Sequence, residues 1–119
     1  MESSKAGTLK APIMFVLQPN PTFKEAIAIP VPGGEPGKIT FEFKRLGKKA
    51  LRTLFKSLTE GEDEREDADV LSEIIVGWAG VDEKFSKAAL ETLCDAYPGA
   101  ATAVILGYNK AMLEGKAKN

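Results

Sequence analysis

The sequence predicts an α+β domain, mainly helical with about four helices, that begins with an N-terminal antiparallel β-hairpin. Three observations carry this. Apolar and polar residues alternate in two stretches before residue 45, as half-buried strands require. Beyond residue 45 the apolar residues recur every three to four positions, the period of a helix with one buried face. Proline, glycine and capping residues punctuate the joins, at Pro30–Gly37, around Gly77–Ser86 and at Tyr97-Pro98-Gly99.

Residues 1–10 are small and polar, and with 115–119 they are expected to be loose ends of a single domain spanning 1–119. Ile13-Met14-Phe15-Val16-Leu17 is a short apolar run, β-like in composition, which Gln18-Pro19-Asn20-Pro21 interrupts. Thr22–Ile29 alternates loosely, placing Phe23, Glu25, Ile27 and Ile29 on one side. Lys38–Lys44 alternates well, with Ile39, Phe41 and Phe43 on one face. A long proline- and glycine-rich loop joins these two strands into the hairpin.

Leu46–Leu58 takes the helical period. Leu51, Leu54, Phe55 and Leu58 fall on one side, and Arg45, Lys48, Lys49, Arg52 and Lys56 on another. That basic face reads either as solvated helix surface or as a contact for nucleic acid or an acidic partner; no signature of a nucleic-acid-binding module supports the former partner. The acidic run Glu60–Asp69, with Glu62, Asp63 and Glu64 at its centre, lacks the glycine placement of a calcium loop. It suits a solvated loop opening the next helix, whose N-terminus favours negative charge, or a docking strip for a basic partner.

The second helical stripe runs Val70, Leu71, Ile74, Ile75 and Trp78, and Gly77 and Gly80 then let the chain turn. Ser86 is the expected N-cap of the third helix, flanked by Phe85 and Leu90 as a hydrophobic staple. The stretch from Glu73 to Ser86 is thus expected to join two helices through an apolar corner, with Trp78 largely buried among Ile74, Ile75 and Phe85. The competing expectation is an exposed Trp78 anchoring a partner. Leu90, Leu93, Cys94 and Tyr97 share the third stripe, so Ile74, Ile75, Trp78, Phe85, Leu90 and Tyr97 form the expected core. Cys94 fits there as a small core residue. Pro98 is placed to start the last helix, whose stripe is Ala101, Val104, Ile105, Tyr108 and Met112, with Ala100, Ala103 and Ala111 permitting close packing.

Composition bounds the chemistry. A chain of 119 residues makes one domain burying ~65% of its unfolded surface. A net charge of −1 points to neither a polyanion nor an acidic membrane. No apolar run approaches the length of a membrane span, and the N-terminus lacks a secretory apolar region, so the expected location is the cytoplasm. One cysteine excludes an intrachain disulfide. The absence of histidine excludes Ser-His-Asp and Cys-His catalysis and zinc held by Cys/His sets. Carboxylate or lysine catalysis stays open in principle, and a carboxylate-dependent enzyme would rest on the acidic run in an apolar pocket, but no enzyme activity, catalytic residue, metal or cofactor is expected.

Several stretches, in order, carry a resemblance: Pro19-Asn20-Pro21-Thr22-Phe23, then Ile29–Pro36, then Ile39–Lys44, then Gly77-Trp78-Ala79-Gly80-Val81-Asp82, and finally Tyr97-Pro98-Gly99-Ala100-Ala101. From about Phe15 onward the chain resembles the tail assembly chaperones of long-tailed, non-contractile bacteriophages and prophages. The resemblance implies a protein without an active site that binds the tape measure protein, a very long, largely helical chain that sets tail length. Such a chaperone keeps its client soluble, promotes polymerisation of the major tail tube protein around it, and is absent from the mature virion. It works in the host bacterial cytoplasm. The resemblance also implies a longer product made by ribosomal frameshifting, for which codons within Glu114–Asn119 can supply a slippery heptamer. Finally, the basic block at 45–56 and the acidic block at 60–69 suggest weak, salt-sensitive self-association.

Overall fold

The computed structural model describes residues 15–59 and 66–115. A three-stranded antiparallel sheet, in order β1-β2-β3, is built from β1 (Thr22–Ile29), β2 (Gly37–Lys44) and β3 (Ile75–Ala79). Four helices accompany it: α1 (Lys48–Thr59), α2 (Asp67–Leu71), α3 (Lys87–Ala96) and α4 (Ala100–Glu114). The fold is mixed α+β, as the period switch predicts.

The alternating stretches form the paired strands, with Ile27 opposite Ile39 and Phe23 opposite Phe43. Ile27, Ile29, Ile39, Phe41, Phe43 and Ile75 are buried, so one face of the sheet meets the helices. The opposite face carries Lys24, Ala26, Ala28, Lys38, Lys44 and Ala79, all exposed. No described helix covers it.

The structure corrects the sequence expectation between residues 71 and 86. The helical stripe expected to run to Trp78 stops at Leu71, and the next residues turn through Ile74 into β3. Three β-branched residues, Ile74-Ile75-Val76, followed by Gly77 are poor helix continuers. The decisive factor is tertiary: β2 offers an unpaired edge, and the Lys44 N–H donates to the Ile74 carbonyl at 2.8 Å as the pairing begins. A bulge between Glu42 and Phe43 shifts the register there. The hairpin is therefore part of a larger sheet, and Trp78 is a strand residue opposite Phe41. It is half-buried at the rim of the core rather than enclosed, whereas Ile74 and Ile75 are buried. Gly80, with φ of 89°, leaves the strand in a conformation that favours glycine.

Two smaller corrections follow. Phe15-Val16-Leu17, β-like in composition, lies in no strand and is exposed. The last helix starts at Ala100 with Gly99 as N-cap, two residues beyond Pro98, because Pro98 and Gly99 form a turn in which Gly99 packs on Pro30. The Ser86 cap forms as expected, its Oγ accepting from the Ala89 N–H at 3.0 Å. Leu90 behind it is fully buried, and Phe85 is half-buried against the core.

Tyr108 ties the helices to the sheet. It is fully buried, its ring 5.0 Å from that of Phe43 and stacked 6.1 Å from Phe23. Its hydroxyl donates to the Lys44 carbonyl at 2.7 Å and accepts from the Leu46 N–H at 3.3 Å. This side chain alone satisfies two backbone groups where β2 hands over to α1.

Candidate partner-binding surfaces

Among the described residues no group of three or more His, Cys, Asp or Glu side chains is placed to hold a metal ion. The lone thiol, Cys94, is half-buried on α3, and desolvation, with a smaller contribution from the charge of Asp67, pushes its pKa up to about 11. A thiol so raised is a poor nucleophile near neutral pH.

The first surface is the outer side of α1. Lys48, Lys49, Arg52 and Lys56 are all exposed, and at helical spacing they fall within about 100° of arc. Leu51 and Leu54 are buried on the adjoining side, which anchors the helix and fixes which way the basic stripe faces. Arg45 does not join this stripe. It precedes the helix, and its guanidinium lies 5.6 Å from the centre of the Phe23 ring, turned toward β1.

The acidic block is seen only in part, since Glu62, Asp63 and Glu64 lie outside the described residues. Downstream of them Asp67 and Asp69 occupy the first turn of α2, and Asp69 pairs with Lys87 at the start of α3. The Asp69 carboxylate, by hydrogen bond and charge, raises the Lys87 pKa. That contact is solvent-exposed and serves to register two helices rather than to attract a partner.

Around the tryptophan, the indole N–H donates to the Glu83 carbonyl at 2.8 Å, and the ring meets Phe85 edge-on at 5.2 Å. Trp78 thus closes the turn after β3. Phe85 and Tyr97 are likewise half-buried at the rim, while Leu90 is enclosed.

Two further surfaces escaped the sequence reading. Leu106 and Leu113 are 62% and 68% exposed, seven residues apart on the outward side of α4. Beside them a groove of about 290 Å³ runs between α4 and the free edge of β1. On the helix side it is walled by Ala103, Gly107, Ala111 and Gly115, a row four residues apart with nothing larger than a methyl group, and at its margin by the exposed Lys110. Close approach explains the row: a Cβ on Gly107 would lie 2.3 Å from Ile27 Cδ1. The signal was in the sequence, but the alanines read as helix–helix packing and Gly107 was not read at all.

With this geometry in place, comparison with known proteins adds one match. A family model described as phage tail assembly chaperone matches residues 11–119, nearly the whole chain. Neither a curated protein nor a solved structure matches it.

Proposed function

The chain belongs to the phage tail assembly chaperone family, with tail proteins as its partners, and we propose that it binds and solubilises the tape measure protein while tail tube subunits polymerise around it. The family match over residues 11–119 carries this reading. The surfaces are compatible with it. A long helical client with apolar stripes aggregates unless many small copies cover those stripes. Leu106 and Leu113 on α4 offer exposed apolar contacts at helical spacing, and the α1 stripe offers Lys48, Lys49, Arg52 and Lys56 to acidic segments. Modest contacts of this kind can be displaced when the major tail tube protein arrives.

The role is non-enzymatic, needs no cofactor and is exercised in the host cytoplasm, the chaperone leaving before the virion is complete. No helix among the described residues is long and apolar enough to cross a membrane. Weak self-association through the basic block at 45–56 and the acidic block at 60–69 belongs to the same proposal, since it would make coating cooperative. A nucleic-acid-binding role would use the same α1 stripe. The open sheet face argues against single-stranded ligands, because Phe23, Phe41, Phe43 and Trp78 all sit on the covered side and leave no stacking platform.

Co-expression tests the proposal. The tape measure protein should be soluble with this chain and aggregate without it, and the two should co-purify. Equal solubility in both conditions would overturn the proposal.

A further inference from the structure

We propose that the groove between the β1 edge and α4 takes the Phe15–Leu17 arm of a second copy as an added strand, linking copies head to tail. Among the described residues β1 has a neighbour on one side only, and its eight residues include neither a proline nor a bulge to discourage pairing. Glu25, Ala26, Ile27 and Ala28 line the groove in succession. Consecutive strand residues point to opposite faces, so what they present together is the backbone edge itself. The small residues of α4 leave room beside that edge for another chain.

The chain supplies a matching occupant. Phe15, Val16 and Leu17 are 92%, 66% and 88% exposed, the one run of consecutive large apolar residues so exposed among the described residues. They suit a strand, and Ile13 and Met14 extend the apolar run upstream. Fourteen residues precede Phe15, so chain length does not limit the arm. A three-residue strand spans ~10 Å and β1 about 26 Å at 3.3 Å per residue, so the arm fits within the free edge.

The arm does not reach its own groove. The Arg45 N–H donates to the Pro21 carbonyl at 2.9 Å, which ties the chain to the end of β2 just before β1 begins. Only Gln18-Pro19-Asn20 remains to reverse direction, and Phe15–Leu17 stay exposed. An arm seated on another copy leaves that copy's own arm free, so the contact repeats into an open chain. Apolar burial and backbone hydrogen bonds carry this contact, which sets it apart from the charged-block association proposed above: it persists at high salt, where exposed charge pairs are screened. It also stands or falls independently of tape measure binding.

Light scattering on a sizing column, from micromolar to millimolar protein at low and high salt, tests it. The parent mass should rise with concentration beyond two copies at both salts. At high salt, which screens the charged-block association, Val16→Asp, in the exposed arm, and Ala111→Arg, which fills the groove, should each be monomeric alone, with Val16→Asp melting like the parent. Their equimolar mixture should form dimers and nothing larger, because one intact arm meets one intact groove. The proposal is overturned by a parent that is monomeric throughout, by association that Val16→Asp leaves unchanged, by association that high salt abolishes, or by a mixture without dimers. A monomeric parent that Val16→Asp destabilises would place the arm on its own domain.

Discussion

The two sides of the sheet differ in almost every physical respect. The covered side gathers Phe23, Phe41, Phe43, Trp78 and Tyr108 into one aromatic network with ring centres 5.0–6.3 Å apart, and α4 lies close enough on β1 that a Cβ at residue 107 would displace the end of the Ile27 side chain. The open side presents lysines and alanines to water, and beside it the β1 edge has no second neighbour among the described residues. The first region is where burial stabilises the fold, and the second is where contacts remain to be made. The coating role proposed above would require this division, because the surface offered to partners must not be the surface that keeps the domain folded.

Substitutions on the covered side should have the largest effects. Phe41→Ala, at a side chain with no exposure, should cost about 3–5 kcal/mol and lower the melting temperature by more than about 12 °C. Trp78→Ala should cost clearly less in the same melt, since Trp78 is half-buried. If the two fall together, the aromatic network is more uniform than its exposure indicates. Tyr108→Phe keeps the ring but strands the Lys44 carbonyl and the Leu46 N–H, so denaturant titration should show a loss of about 1–3 kcal/mol.

Alkaline pH should weaken the covered side specifically. The folded state holds the proton on Cys94 until about pH 11 against an ordinary 9.0, and burial likewise raises the Tyr108 hydroxyl above its ordinary 10.0. Cys94 contributes stability that is fully present below pH 9 and is lost as pH rises through about 11, and Tyr108 a contribution that is fully present below its ordinary 10.0 and is lost above it. Melting temperature should fall across that window, and Cys94→Ala should reduce the fall. The same shift of about two pH units should leave the thiol about 100-fold less ionised than a free cysteine at pH 8, so it should react correspondingly slowly with a thiol reagent.

Local pattern made much of this architecture legible. Alternation over 38–44 located β2 and its buried face, the Ser86 signature located the start of α3, and the 46–58 stripe located α1 with its basic side outward. Pattern failed where tertiary pairing decided the outcome. Residues 70–78 carry apolar side chains at helical spacing, yet the free edge of β2 draws Ile75–Ala79 into a strand. The candidate surfaces were legible only in part. The spacing of Lys48, Lys49, Arg52 and Lys56 survives folding as one stripe, but Arg45 is taken up by Phe23, a residue far from it in sequence. The β1 edge could not be read at all, because an edge is defined by the strand that is missing beside it.

The smallest expected effect on stability tests most directly the division between the surface that binds and the core that keeps the domain folded, here on the outward side of α1. A Lys48→Glu, Lys49→Glu, Arg52→Glu variant changes only exposed positions on the outward side of α1. Its thermal melt should match the parent to within about 0.5 kcal/mol, while co-expressed tape measure protein should lose solubility. A variant that melts like the parent and still keeps its client soluble would contradict the assignment of this surface to binding. A variant that unfolds would contradict the division itself.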